Sequence, residues 1–228
     1  MGPLDLLRQS LVRLNPSQLS RPQITEFRDL SRKVYTPQHS SAQRAEMGWL
    51  EKAQRAQDEA QRAKFQQAAR EAEYRAARLA KLEQAANSIA NARGTYDDEL
   101  RAFMLPGEGG VPSGLSTFYP PGHYAGDVLA DDAAYLELLG TSGQPGAGRV
   151  LLRAVGMDSP AEPLMWHSTR YPETLGFYES RGGQRLPKHV IPKDSMLYGN
   201  LPVFRVPRGD MIKEKKGGLV QMKEHHCG

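Results

Sequence analysis

The sequence predicts an α+β protein, with a long N-terminal α-helical arm followed by a small α/β domain. Three observations carry this. Residues 40–93 contain no proline and only one glycine, Gly48, and are dominated by Ala, Gln, Glu, Arg and Lys, the strongest helix formers. A glycine- and proline-rich linker follows at 105–114. Beyond it, short β-like runs alternate with helical ones, the pattern of a small mixed domain.

Residues 1–39 read as short helices and turns. Leu4, Leu7, Leu11 and Leu14 recur at helical spacing beside Arg8 and Arg13, which predicts a short amphipathic docking helix. The same profile fits a transit peptide, which leaves a mitochondrial location open beside the cytoplasm. Pro16, Pro22 and Pro37 punctuate the segment. A short helix is expected over 24–35, with Asn15, Ser17 or Ser20 as cap or turn residues.

The arm occupies 40–104. Read as one helix of about 50 residues, it would be about 75 Å long. Ala72, Ala76, Leu79, Leu82, Ala86 and Ile89 form an apolar seam with 4-3-3-4-3 spacing. Large side chains are sparse elsewhere, and alanine buries little area. Such a seam suits close packing of several helices, docking on a larger body, or folding back onto the C-terminal domain. The helix outreaches a compact body of 115 residues, about 35 Å across. The expected partners are therefore other protein chains, held through 40–93 with Leu79, Leu82 and Ile89 in the contact. Gly94 should end the helix, and 95–104 should add a turn or two.

The C-terminal domain, 115–228, is expected to have strands at LSTFY, YAGDVLA, AAYLELLGT, PLMWHST, QRLPKHVI and FRV. Helices are expected at RVLLRAV and PETLGFYESRG, before a basic tail. The formal net charge is +4. It divides into +6 over residues 1–96 (16 Lys+Arg, 10 Asp+Glu) and −2 over 97–228 (14 and 16). Because the charges alternate, they read as a solvated helix surface. Aromatic–basic interleaving for nucleic acid is absent, and no apolar run is long enough for a membrane helix. The single cysteine, Cys227, excludes an intrachain disulfide and a cysteine-based zinc site, and suggests a reducing compartment. His225, His226 and Cys227 are adjacent tail residues and do not make a closed metal site.

The chemistry concentrates in Tyr135–Phe177. A strand feeds a loop with Gly143, Gly146 and Gly148, and a helix follows. Glycines allow close backbone approach, and a helix N-terminus offers unpaired N–H groups at a positive dipole end. That is a place for a phosphate. The Lys and Ser/Thr of a P-loop are missing.

With the strand PLMWHST and the helix segment LGFYESRGG behind it, GAGRVLL resembles the GNAT superfamily of N-acetyltransferases over about residues 131–190. The resemblance implies that Gly146, Ala147, Gly148 and Arg149 hold the pyrophosphate of acetyl-coenzyme A. It implies a following strand that splays from its neighbour to admit the pantetheine arm. Tyr178 falls where the family often has an acid for the departing thiolate. Glu137 falls where some members keep a general base, and His167 is a second candidate base. The family also has an opening strand and two helices. Either the long helix and residues 97–104 stand in for them, or the fold is truncated. Two functions follow. One is acetyl transfer from acetyl-coenzyme A to an amine. The other is a non-catalytic assembly role, such as a phage virion or ejection component, with the arm as the working part.

Overall fold

The computed structural model describes residues 8–92, 99–107, 111–159 and 163–207. Gly94, Leu4, Leu7 and the His225-His226-Cys227 tail lie outside the described residues. The order is β1 (Val12–Leu14), α1 (Arg21–Arg55), α2 (Glu59–Asn91), β2 (Arg101–Pro106), β3 (Pro112–Tyr119), β4 (Ala134–Thr141), α3 (Ala147–Asp158), β5 (Leu164–His167), α4 (Pro172–Glu179), β6 (Gln184–Arg185) and β7 (Val203–Val206). The seven strands form one sheet in the order β1-β2-β3-β4-β5-β7-β6. All neighbours are antiparallel except β4 and β5, which are parallel. The α+β expectation holds, with long N-terminal helices preceding a mixed sheet.

The arm is not one helix. It is two long helices folded against each other and broken at residues 56–58. Ala56 is extended, and Asp58 caps α2 by accepting from the Ala60 amide at 3.0 Å. An aspartate just before a helical run is a start signal, and here it overrides high propensity on both sides. Thr36 bonds Glu83 at 3.0 Å, and Trp49 stacks on Phe65 at 5.8 Å. These pairings make the hairpin antiparallel. Ala42, Ala53, Ala56, Ala69 and Ala76 are buried and let the two backbones approach.

α1 also begins earlier than expected and runs through Pro37. Ser20 caps it, making a capping box with Gln23. An internal proline costs about 3 kcal/mol. Packing beside it offsets this: Tyr35 is 1% exposed, and its hydroxyl donates to the Pro112 carbonyl.

The seam residues lie inside the chain. Leu82, Ala85, Ala86 and Ile89 pack with Tyr35, Ala102, Leu115 and Leu138 between hairpin and sheet. Leu79 is buried with Ala42 and Ala76. The intermolecular contact expected of Leu79, Leu82 and Ile89 is thus replaced by an intramolecular one, worth about 1.5–3 kcal/mol per large side chain. The first part of α1 and the last part of α2 join the body, so the seam does find a surface to pack on.

Other expectations also move. Leu14 is in strand β1, not in a docking helix, because Val12, Arg13 and Leu14 pair with Met104, Phe103 and Ala102. Residues 101–104 are strand, not added helical turns. Tyr124–Ala130 is a run of turns instead of a strand, where the Asp127 carboxylate accepts from the Leu129 and Ala130 amides. QRLPKHVI yields only the two residues of β6 before a 3₁₀ turn at Lys188–Val190. Asp158, at the end of α3, bonds Arg13 at 2.8 Å and Arg101 at 2.7 Å. It thereby ties β1 and β2, at one edge of the sheet, to the end of α3.

The sheet is covered on both sides. The hairpin lies on one face. On the other, α3 and α4 bury Val150, Leu151, Val155 and Tyr178 against Phe118, Leu136, Trp166 and Phe204. The hairpin meets β4 most closely at Gly140. A Cβ there would lie 2.3 Å from the Leu82 amide nitrogen and 2.5 Å from its Cα. Gly140→Ala should therefore cost about 2 kcal/mol or more, since a rigid backbone must move. Thermal unfolding should show a fall of several degrees. Gly176→Ala, with nothing within 4 Å of the added methyl, should instead be neutral or stabilising, as expected in a helix.

Candidate functional site

β4 pairs with β3 along its whole length but with β5 at only two positions, Ala134↔Leu164 and Tyr135↔Met165. Beyond them the two strands part. Opposite β3, Phe118 pairs with Leu136 and Thr117 with Leu138, so Glu137 is the inserted residue of a β-bulge. A bulge bends its strand and raises the local twist, which carries the end of β4 away from β5. The opening leads into a cavity of about 700 Å³.

Its walls come from four places. α2 contributes Tyr74, Ala77, Arg78 and Lys81, a stripe at i, i+3, i+4 and i+7. β4 contributes residues 136–139 and Thr141, and the glycine loop and first turn of α3 close one end. The end of β5 and the loop after it supply His167 and Thr169, and α4 and the turn after it supply Phe177, Tyr178 and Arg181.

The glycine loop has the geometry its sequence requires. Gly146 caps α3 at φ 82°, and Gly143 lies at φ 112°. Both are left-handed conformations that side chains disfavour. Gly148 and Arg149, the second and third residues of α3, present the unpaired amides of a helix N-terminus. A Cβ on Gly148 would lie 3.3 Å from the Phe177 ring, so a larger side chain would crowd the cavity wall. Ala147 behaves differently. Its side chain is fully buried in the core, and its amide donates to the Gln144 carbonyl at 3.2 Å. It supports the turn but does not reach the cavity.

The cavity is cationic. Arg78, Lys81, Arg149 and Arg181 line it against one carboxylate, Glu137. Arg78 is oriented by a 2.7 Å bond to Thr141 Oγ1. Burial, and then Arg149, lower the pKa of Arg181 from its ordinary value. Two polar atoms of lining residues, Arg181 Nε and Thr169 Oγ1, are buried with no partner. Together with the open amides, these suit an anionic ligand with polar groups of its own.

Tyr178 lines the cavity from α4, 7% exposed and packed on Trp166 and Phe204. Burial pushes its phenol pKa well above the ordinary value near 10. Glu137 lies on the bulge and is exposed to solvent. His167 is engaged at both ring nitrogens. Nδ1 lies 2.6 Å from the Tyr135 hydroxyl, and Nε2 lies 3.2 Å from the Leu197 carbonyl. A carbonyl only accepts, so Nε2 carries the proton, and the Nδ1 lone pair receives the Tyr135 hydroxyl. His167 thus ties β5 to the 186–202 segment and has no lone pair left to take a substrate proton.

Sequence reasoning therefore brought Glu137, Gly146, Gly148, Arg149, His167 and Tyr178 to one cavity. It missed Tyr74, Arg78 and Lys81, and also Arg181 and Thr169. The α2 residues form a stripe beside the apolar seam, and that spacing was readable. What it faced was not.

Among the described residues there is no cluster able to hold a metal ion, and no helix is long and apolar enough to cross a membrane. No protein-family model matches the sequence, and no curated protein matches it. Solved structures do match, over about half of the chain. An acetyltransferase of the GNAT family from Staphylococcus aureus is 11% identical, covering 53% of this chain and 75% of that one, with a TM-score of 0.42. A histone acetyltransferase HPA2-related acetyltransferase from Corynebacterium glutamicum is 19% identical, covering 57% and 75%, with a TM-score of 0.40. Tetrahymena GCN5 is 12% identical, covering 55% and 76%, with a TM-score of 0.39.

The buried phenols give a direct check. Burial raises the pKa values of Tyr35, Tyr135 and Tyr178 most strongly, and with Glu73 it raises that of Tyr171 less; the three strongly shifted phenols are a third of the nine tyrosines. Their protonated forms are favoured in the fold, so their contribution to stability is complete below pH 10 and declines as pH rises above it. Ultraviolet titration of the native protein should leave about a third of the tyrosine signal un-ionised at pH 11. Full ionisation there, without unfolding, would contradict the burial.

Proposed function

We propose that the protein binds an acyl-coenzyme A and transfers its acyl group to an amine. The parting of β4 and β5 after two residue pairs carries this reading. It opens a slot between two parallel strands that ends at a glycine loop and a helix N-terminus. The element order agrees with the resemblance. An opening strand, β1, and two helices, α1 and α2, precede the antiparallel strands, so nothing has to stand in for them. The long helices are those two helices, extended.

The residues fit the coenzyme. The amides of Gly148 and Arg149, with the Arg149 and Arg181 side chains, would hold the pyrophosphate. Gly146 would bring the backbone close to it. The open edges of β4 and β5 would accept the amide groups of the pantetheine arm. Bound there, the coenzyme supplies an acyl thioester whose carbonyl an amine attacks and whose sulfur leaves. Glu137 at the bulge would take the proton from the amine, and the Tyr178 hydroxyl would give one to the sulfur. Because the Tyr178 pKa is raised, it stays protonated through pH 10 and does not set the alkaline limb of the rate profile.

An assembly role has one observation of its own. Near the far end of the hairpin Met47 is 60% exposed and Leu50 39%. If that end joins copies of the chain, sedimentation should show oligomers that Met47→Asp with Leu50→Asp dissolves.

Acetyl-coenzyme A at 100 times its Kd should raise Tm by about 5–10 °C, from about 2.7 kcal/mol of linkage. Gly148→Glu should abolish the rise. Tyr178→Phe should cut turnover about 10²-fold while leaving coenzyme affinity unchanged. No thermal shift in the intact protein at millimolar coenzyme would overturn the acyl-transfer reading.

A further inference from the structure

We propose that Lys81 is itself an acyl acceptor, a self-acylation site inside the cavity; this rests on the acyl-coenzyme A reading above. Three observations converge on it. First, Lys81 is a primary amine on the cavity wall contributed by α2, and the carboxylate lining the same cavity, Glu137, stands on β4. Second, its position is fixed. The Lys81 carbonyl carbon would lie 2.7 Å from a Cβ built on Gly140. The root of the side chain is therefore held against β4, the strand that carries Glu137. Third, the other cations lining the cavity are the guanidinium groups of Arg78, Arg149 and Arg181, which stay protonated and are not nucleophiles. An external amine must enter from solvent, whereas Lys81 is already in place. A tethered nucleophile also avoids the entropic cost of a bimolecular encounter.

Burial lowers the Lys81 pKa from its ordinary value, and Glu137 opposes the shift. A desolvated lysine offers more of its neutral, nucleophilic form.

The step balances without any further reagent. The lone pair of Lys81 Nζ attacks the acyl carbon of the thioester, forming the N–C bond as the C–S bond breaks. Glu137 takes the proton released from nitrogen. Tyr178 gives its proton to the departing sulfur and is reprotonated from Glu137 through solvent. The products are an acylated Lys81, an amide without charge, and the free coenzyme thiol.

The full chain would be incubated with acetyl-coenzyme A and analysed by intact mass and peptide mapping, with the thermal shift read in parallel. One acetyl group is expected on Lys81, at least tenfold ahead of the exposed lysines Lys33, Lys52 and Lys64. Lys81→Arg should lose that modification and keep the coenzyme-induced rise in Tm. Lys64→Arg should change neither. Glu137→Gln should slow the modification of Lys81 by tenfold or more without affecting slow background labelling of the exposed lysines. A clear thermal shift with Lys81 unmodified, or modified no faster than the exposed lysines, would overturn self-acylation and leave acyl-coenzyme A binding intact. No thermal shift and no acetyl-Lys81 would overturn both.

Discussion

The contact between the α2 backbone and β4 at Gly140 sets the geometry of the whole cavity. Nothing but hydrogen fits between Gly140 and Leu82. The hairpin is thereby seated on the strand that forms the floor of the cavity. Lys81 and Arg78 follow directly from that seating, one residue and one helical turn from the point of contact. The sheet then has one face committed to the hairpin and the other to α3 and α4. Among the described residues, an opening is left along β4 at the edge where β5 departs.

That departure has a local cause. The bulge at Glu137 changes the register of β4 against β3 and bends the strand just past its two pairs with β5. Antiparallel strands flank both sides, so the sheet does not fail; it divides. Loop and helix fill the opened end with amides and arginines, and α4 brings a buried tyrosine to it. The same strand thus holds the proposed base, lines the slot and anchors the hairpin, which is why three unrelated side chains come together without a sequence motif that joins them.

Local chemistry was legible in the sequence; pairing over distance was not. Ser20 with Gln23, the Gly146 turn before α3 and the FYE segment of α4 each declare themselves within a few residues. Asp58 was not read as a cap, because the alanine-rich composition around it argued for a continuous helix. β1 could not be read, because three residues acquire strand structure only by pairing with β2, some 90 positions away. The seam of Leu79, Leu82 and Ile89 was correctly seen as a contact face, but its partners lie within the chain: the sheet for Leu82 and Ile89, and Ala42 of α1 for Leu79. His167 had the right residue type and place for a base. Only its bonds to Tyr135 and Leu197 reveal that it is occupied.

The central claim is that the slot between β4 and β5 takes a coenzyme, and amide chemical shifts test it most directly. Coenzyme A would be titrated into ¹⁵N-labelled protein. The largest shifts should fall on Gly148, Arg149 and residues 138–141, with smaller ones on Arg78 and Lys81. Shifts confined to the opposite end of β4, around Tyr119–Tyr124, or no shifts at saturating coenzyme, would contradict it.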